Sequence, residues 1–132
     1  MKKIFLILAL LFISAGAMQT AKAQTTQQFN LAIKKQKTVT SGKLTVKFLA
    51  VLEDSRCPEG VDCVWAGNAR IQIKVTNRKG VSKTFELSSN LEPRAVKFDG
   101  YEISFGGLTP YPKVNLKADT DAYAASFTVK KL

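Results

Sequence analysis

Strict alternation of apolar and polar residues is the feature that most restricts how this chain can fold. It is cleanest over residues 69–76, where Ala69, Ile71, Ile73 and Val75 share one parity and charged or polar residues hold the other. Successive side chains of a β-strand point to opposite faces, so this period of two predicts a strand with one buried face. We therefore expect Ile71 and Ile73 to belong to the structural core.

Similar alternation recurs along the chain, and turn signals separate the segments. The other alternating segments are residues 29–33, 44–52, 85–87, 96–98, 101–105, 114–116 and 123–129. Asp99-Gly100 lies between two of them and is the dipeptide typical of a two-residue hairpin turn. About seven or eight short strands with frequent turns predict an all-β fold, a single antiparallel β-sandwich or a partly open barrel.

The N-terminus has the three parts of a secretory signal peptide. A positively charged start precedes an apolar run over residues 4–13, and a small-residue A-x-A cleavage pattern stands before residue 24. The run is shorter than the roughly 20 residues that a membrane-spanning helix needs. We therefore predict a cleaved signal peptide at residues 1–23, followed by one β-sandwich domain at residues 24–132.

Export, charge and the lack of an anchor predict where the protein acts. No cysteine directly follows the apolar run, so the acylated thiol of a bacterial lipoprotein is missing, and no later run is long enough to cross a bilayer. We expect an exported protein, periplasmic or secreted, soluble and not lipid-anchored. The chain has 20 basic and 10 acidic residues, a balance that favours encounters with polyanions, although dispersed lysines also serve simply as a solvated surface.

The two cysteines of the chain are six positions apart. In an oxidising compartment, Cys57 and Cys63 are expected to form a disulfide, and Pro58 and Gly60 suit a tight turn between them. Closing this small ring stabilises the fold by about 2.4 kcal/mol in the loop-entropy model. The spacing differs from the C-x-x-C of thioredoxins, and a chain without histidine lacks the usual zinc ligands, so we predict no metal and no cofactor.

The direction of Trp65 depends on whether the strand before Val75 is continuous. If it runs unbroken from Val64, Trp65 shares the parity of Ile71 and Ile73 and packs in the core. A bulge at Gly67 would reverse that direction. We expect the inward orientation, beside the disulfide.

Charged residues make the segment 54–67, called here the cysteine loop, a candidate binding surface. Its candidate binding residues are Asp54, Arg56, Glu59 and Asp62. The interpretation we favour for most motif residues is structural. Asp54 and Arg56 are then loop-ordering partners, Asp54 through side-chain to backbone bonds and Arg56 by bridging to carboxylates in the same turn. A calcium site is a further alternative, but the acidic residues lack EF-hand spacing.

Basic residues suggest a second candidate surface. Arg70 and Lys74 occupy the polar parity of the strand at 69–76, and Lys97 lies in a later strand. We expect these three residues to form one basic sheet face that could meet a polyanion outside the cell, such as an acidic glycan, an anionic lipid headgroup or DNA.

The cysteine loop also resembles a known family. The stretch EDSRCPEGVDCVWAGNARI is similar to the D-S-R-C-P, spacer, C-V/I-W-A-G pattern of a family of small exported bacterial proteins and lipoproteins of uncharacterised function. The later FDGYEISFGGLTPYP resembles a second stretch of that family. The resemblance implies a β-rich exported domain and brings no catalytic residue or ligand.

These observations favour a non-catalytic protein. A chain without histidine cannot build Ser-His-Asp or Cys-His nucleophile systems, and it has no P-loop or G-x-G-x-x-G, so no nucleotide is expected. We predict a binding or structural module of the bacterial envelope or exterior, whose partner is an envelope or extracellular protein or a polyanion. The alternative is a peptidase inhibitor that presents Arg56 or the tip at residues 59–61. A small carboxylate-dependent hydrolase using Glu53 and Asp54 is the least favoured hypothesis.

Overall fold

A computed structural model describes residues 25–114, 116 and 119–132, so the predicted signal peptide lies outside the described residues. Within these ranges the chain forms eight strands and no helix. The strands are β1 (Thr26–Ala32), β2 (Gln36–Val39), β3 (Leu44–Asp54), β4 (Ala69–Asn77), β5 (Ser82–Ser88), β6 (Ala95–Phe98), β7 (Tyr101–Thr109) and β8 (Ala124–Lys131). Accordingly, the described part of the chain contains no helix that is long and apolar enough to span a membrane.

The strands form two four-stranded antiparallel sheets that pack face to face. One sheet has the order β1-β8-β7-β6 and the other the order β2-β3-β4-β5. The two sheets do not join into a closed barrel. The prediction of an all-β sandwich is therefore confirmed, and the chain does not form the alternative, a barrel. The chain passes from one sheet to the other between β1 and β2 and again between β5 and β6, which brings distant segments together at each end.

The core lies between the inner faces and is built from the alternating apolar residues. Ile71 and Ile73 are fully buried, as their parity predicts. The Phe127 ring lies at the centre, with its centroid 5.7 Å from that of Phe29 and 6.3 Å from that of Phe48. Because these residues come from both sheets, burying their apolar surface holds the two layers together.

Two local features of the strand pattern differ from expectation. The edge strand β2 has the sequence QKTV, in which Val39 alone is buried, so it has too little alternation to be recognised in the sequence. Conversely, the predicted strand at residues 114–116 is not found at its two described residues, because Val114 lies in a turn and Leu116 is outside any strand. Backbone pairing with β3 forms β2, whereas Val114 and Leu116 are both exposed, so no side-chain burial favours a strand there.

The sandwich has two ends of different character. We call one the turn end; it comprises the short connections β2–β3, β4–β5 and β6–β7 and the end of β8. We call the other the loop end; it comprises the connections β1–β2, β3–β4, β5–β6 and β7–β8. Most acidic residues of the chain lie at or beside the loop end: Glu53, Asp54, Glu59, Asp62, Glu92, Asp119 and Asp121. The charge of the molecule is therefore unevenly divided, with the excess of basic residues outside the loop end.

Candidate functional site

The cysteine loop extends the hairpin of β3 and β4 beyond the sheet. Cys57 and Cys63 form the predicted disulfide, with their Cα atoms 5.9 Å apart. Below it, the Cys57 amide donates to the carbonyl of Ala66 at 3.1 Å, and the Ser55 amide donates to the carbonyl of Asn68 at 2.8 Å. The two arms of the loop are therefore hydrogen-bonded to each other, and the disulfide closes the outer part.

Gly67 sets where β4 begins. Its φ is +71°, and a Cβ placed there would lie 1.8 Å from the Ser55 carbonyl oxygen. A side chain is excluded because the opposite arm of the loop occupies its place, and the left-handed backbone interrupts the strand. The regular pairing of β4 accordingly starts at Ala69.

Trp65 points into solvent, and the prediction that it belongs to the core is wrong. Its side chain is 82% exposed, and that of the adjacent Val64 is 93% exposed. The prediction assumed a strand that runs unbroken from Val64, whereas the chain bends at these residues and turns again at Gly67. Side chains alternate between faces only within a continuous strand, so the alternation of β4 does not predict the direction of Trp65.

Asp54 and Arg56 form a buried ion pair at the base of the loop. The Arg56 Nε atom donates to Asp54 Oδ1 at 2.7 Å, and Nη2 donates to Oδ2 at 2.9 Å. The side chains are only 4% and 10% exposed for Arg56 and Asp54, respectively. This two-point geometry suits a guanidinium and a carboxylate, and it realises the loop-ordering pair expected from the sequence.

The remaining Arg56 contacts reach the β7–β8 connection. Its Nη1 donates to the Leu108 carbonyl, Nη2 donates to the Pro110 carbonyl at 2.8 Å, and the guanidinium carbon lies 4.4 Å from the centre of the Tyr111 ring. A buried arginine that satisfies its donors in this way fixes two chain segments to each other. Arg56 thus anchors the cysteine loop to the opposite sheet.

A tyrosine completes the network and helps keep the pair ionised. The Tyr123 hydroxyl donates to Asp54 Oδ2 at 2.8 Å. Burial by itself acts to raise the pKa of Asp54, but the hydrogen bonds from Arg56 and Tyr123 and the Arg56 charge outweigh it and lower that pKa. Burial and the bond to Asp54 raise the pKa of Tyr123. Asp54 is therefore held as a carboxylate, whereas a general acid at neutral pH requires a raised pKa.

The predicted four-residue binding surface does not exist as one surface. Glu59 and Asp62 are exposed on the outer part of the loop, but Asp54 and Arg56 are buried beneath it. The prediction that Arg56 is available to a partner is wrong because its guanidinium is used within the fold. The sequence could not show this, since the accepting carbonyls belong to residues more than fifty positions away.

Neighbouring loops hold both the base and the outer part of the cysteine loop. The Asn90 side-chain amide donates to the Gly67 carbonyl at 2.6 Å, and the Asn90 backbone amide donates to Oδ1 of the buried Asn68 at 3.0 Å. On the other side, the Glu59 amide donates to the Pro112 carbonyl at 3.0 Å. The exposed residues of the loop are consequently carried on a backbone that is fixed at several points.

The predicted basic face is divided between the two sheets. Arg70 and Lys74 lie on β4, whereas Lys97 lies on β6 of the other sheet, so the prediction of one shared face is wrong. Arg70 also has carboxylate partners, with its Nη1 3.1 Å from Glu86 Oε2 and its Nε 3.6 Å from Glu53 Oε2. Alternation identifies the polar side of each strand but not the sheet that the strand joins.

A cleft of about 240 Å³ lies beside the ion pair. Its lining includes Tyr111, Leu116 and Tyr123, together with Asp54 of the ion pair. Sequence reasoning missed Tyr111 and Tyr123 as site residues, although the unusual TPYP stretch marks the position of Tyr111. Among the described residues, no group of three or more acidic or cysteine side chains is placed to bind a metal ion.

Comparison with known proteins does not assign the chain to a family. No protein-family model, no curated protein and no solved structure matches the chain. The resemblance of the cysteine loop to a family of exported bacterial proteins therefore stays a prediction.

Proposed function

We propose that this protein is a non-catalytic binding module of the bacterial envelope or exterior, and that it engages a protein partner through Val64 and Trp65. The observation that carries the proposal is the near-complete exposure of these two apolar residues on a loop whose backbone is fixed. Exposed tryptophans commonly supply much of the binding energy of protein interfaces.

The fixed backbone supports binding over a purely structural role for the loop tip. The disulfide and the hydrogen bonds from Asn90 and Glu59 limit the conformational freedom of the loop before any partner arrives. A preorganised loop loses less entropy on association, which leaves more of the contact energy as affinity. The exposed Glu59 and Asp62 lie in the same loop, a few residues before the apolar tip, and favour a partner with basic groups at the rim.

The test compares the loop tip with an equally simple change elsewhere. A Val64→Ser/Trp65→Ala variant, a Val81→Ser variant at the turn end and the wild type are used to capture proteins from the envelope and medium of the producing cell. We expect one partner to be retained by the wild type and Val81→Ser and lost by the loop variant. All three should unfold at the same temperature, since the altered side chains are exposed. A partner bound equally by all three would contradict the proposed contact.

Export is part of the same proposal. It is supported by the signal-like pattern at residues 1–23 and by a disulfide, which persists in oxidising compartments. The mass of the protein purified from the periplasm or medium tests it. Loss of residues 1–23 is expected, and retention of the full chain in the cytoplasm would contradict it.

A peptidase inhibitor is the second candidate, because residues 59–62 of the disulfide-closed ring and residues 64–65 just after it are exposed. The buried Arg56 cannot enter a peptidase active site, so Val64 and Trp65 are the residues that would do so. We expect stoichiometric inhibition of a peptidase with a large apolar specificity pocket. Full activity of a panel of serine and cysteine peptidases in excess protein would exclude this function.

A further inference from the structure

We propose that the turn end is a docking surface for anionic membranes. A groove of about 400 Å³ at this end is bordered by Lys43, Arg78, Lys79 and Lys131, which come from three different parts of the chain. All four side chains are exposed. The topology brings them together, since Lys43 precedes β3, Arg78 and Lys79 follow β4, and Lys131 ends β8.

These four cations are not neutralised by ion pairs with other described residues. In the described part of the chain, Arg56, Arg70 and Lys34 form ion pairs, whereas none of the four groove residues has a carboxylate within salt-bridge distance. Asp99 is the one acidic side chain that lines the groove. The positive potential of this end is therefore weakly opposed, and each such cation near an anionic bilayer contributes to attraction.

The residues around the groove favour a lipid surface over other polyanions. Val81 and Leu132 are exposed apolar residues at the same end, and such residues suit the headgroup boundary of a bilayer. Nucleic acid strands are commonly held by stacking their bases on exposed aromatic side chains. At the turn end Tyr101 is buried, while the exposed Trp65 and Tyr111 lie at the loop end.

Docking in this way has a defined consequence for orientation. The turn end and the loop end are at opposite ends of the sandwich, so a protein bound by Lys43, Arg78, Lys79 and Lys131 directs its cysteine loop away from the membrane. This docking surface is independent of the function proposed for the cysteine loop, because a different set of residues carries it.

The experiment measures binding of the purified full protein to vesicles of phosphatidylglycerol and, separately, of phosphatidylcholine. The test variant is Lys43→Ala/Arg78→Ala/Lys79→Ala/Lys131→Ala. The matched control, Lys35→Ala/Lys74→Ala/Arg94→Ala/Lys113→Ala, removes the same charge from exposed residues outside the groove. All proteins share the same N-terminus, so any binding by residues 1–23 is common to them. Thermal unfolding checks that both variants are folded.

We expect the wild type to bind the anionic vesicles, the test variant to lose about a hundredfold in affinity or more, and the control to lose less than about tenfold. Binding should disappear in about 1 M salt, where the Debye length is about 3 Å. Equal losses in both variants would overturn the proposal, since net charge alone would explain them. Equal binding to neutral vesicles, or binding to soluble heparin without binding to anionic vesicles, would also overturn it.

Discussion

The two ends of the sandwich are stabilised in different ways. At the turn end, the β4–β5 connection is held by its own residues, as the Asn77 side-chain oxygen accepts from the amides of Lys79 and Val81, both at 3.0 Å. At the loop end, Asp54 bonds to Tyr123, which is 69 positions away. Local turns tolerate change because few distant contacts depend on them, whereas the loop end depends on an assembled network. Substitutions at the loop end should therefore destabilise the fold more.

The largest effect is expected from breaking the buried ion pair. Arg56→Ala leaves the Asp54 carboxylate buried without its cation and should lower the free energy of unfolding by about 3–5 kcal/mol. Arg70→Ala, which removes a 40% exposed arginine with two carboxylate partners, should cost only about 0.2–1 kcal/mol. Urea unfolding measures both. Similar losses in the two variants would contradict the difference between buried and exposed pairs.

A matched pair of glycines compares the two ends directly. Gly80 at the turn end has φ +84° and no atom within 4 Å of the place that a Cβ would take, whereas Gly67 faces the Ser55 carbonyl. Gly80→Ala should cost about 1–2 kcal/mol from backbone strain alone. Gly67→Ala adds a steric clash and should cost about 2–5 kcal/mol. Thermal or urea unfolding of both variants tests the order, which a more stable Gly67→Ala would reverse.

Removing the disulfide should have an intermediate effect. Cys57→Ser/Cys63→Ser frees a ring of seven residues and is expected to lower the free energy of unfolding by about 2.4 kcal/mol. Adding a reductant should destabilise the wild type by a similar amount and leave the double variant unchanged. If neither the double substitution nor the reductant changes the free energy of unfolding, the hydrogen bonds of the loop are enough to hold it without the disulfide.

The smallest expected effect is on how stability depends on pH. Burial acts to raise the pKa of Asp54 and so offsets part of the lowering that its hydrogen bonds cause. A carboxyl with a lowered pKa in the folded state stabilises the protein above its unfolded pKa of about 3.9. That contribution is lost as the pH falls through the folded pKa. The wild type should therefore lose more stability than Asp54→Asn on acidification below about pH 4, measured by urea unfolding at each pH. Parallel curves would contradict a role for Asp54.

Much of the fold could be predicted from the sequence because its signals are local. Alternation identified most strands and the burial of Ile71 and Ile73, and the paired cysteines identified the disulfide. The edge strand β2 escaped because its residues are polar and its pairing is made by the backbone. The predicted direction of Trp65 was wrong because β4 does not extend back to it. The left-handed conformation of Gly67, which packs against the opposite arm of the loop, interrupts the strand.

The candidate site could be predicted only in part. The pairing of Asp54 with Arg56 is visible from their separation of two residues, but the burial of that pair depends on carbonyls at Leu108 and Pro110. The groove at the turn end was not anticipated at all, since its cations are scattered along the chain. Their proximity results from the order in which the strands join the sheets.

The sequence by itself determined most of the strands, their inward faces and the covalent closure of the cysteine loop. Those properties depend on the two-residue period of an extended backbone and on the chemistry of two neighbouring thiols. The tertiary structure decided that Arg56 is buried, that Trp65 is exposed and that Lys97 lies on the opposite sheet from Lys74. Burial and proximity are set by partners that are distant along the chain, which no local pattern encodes.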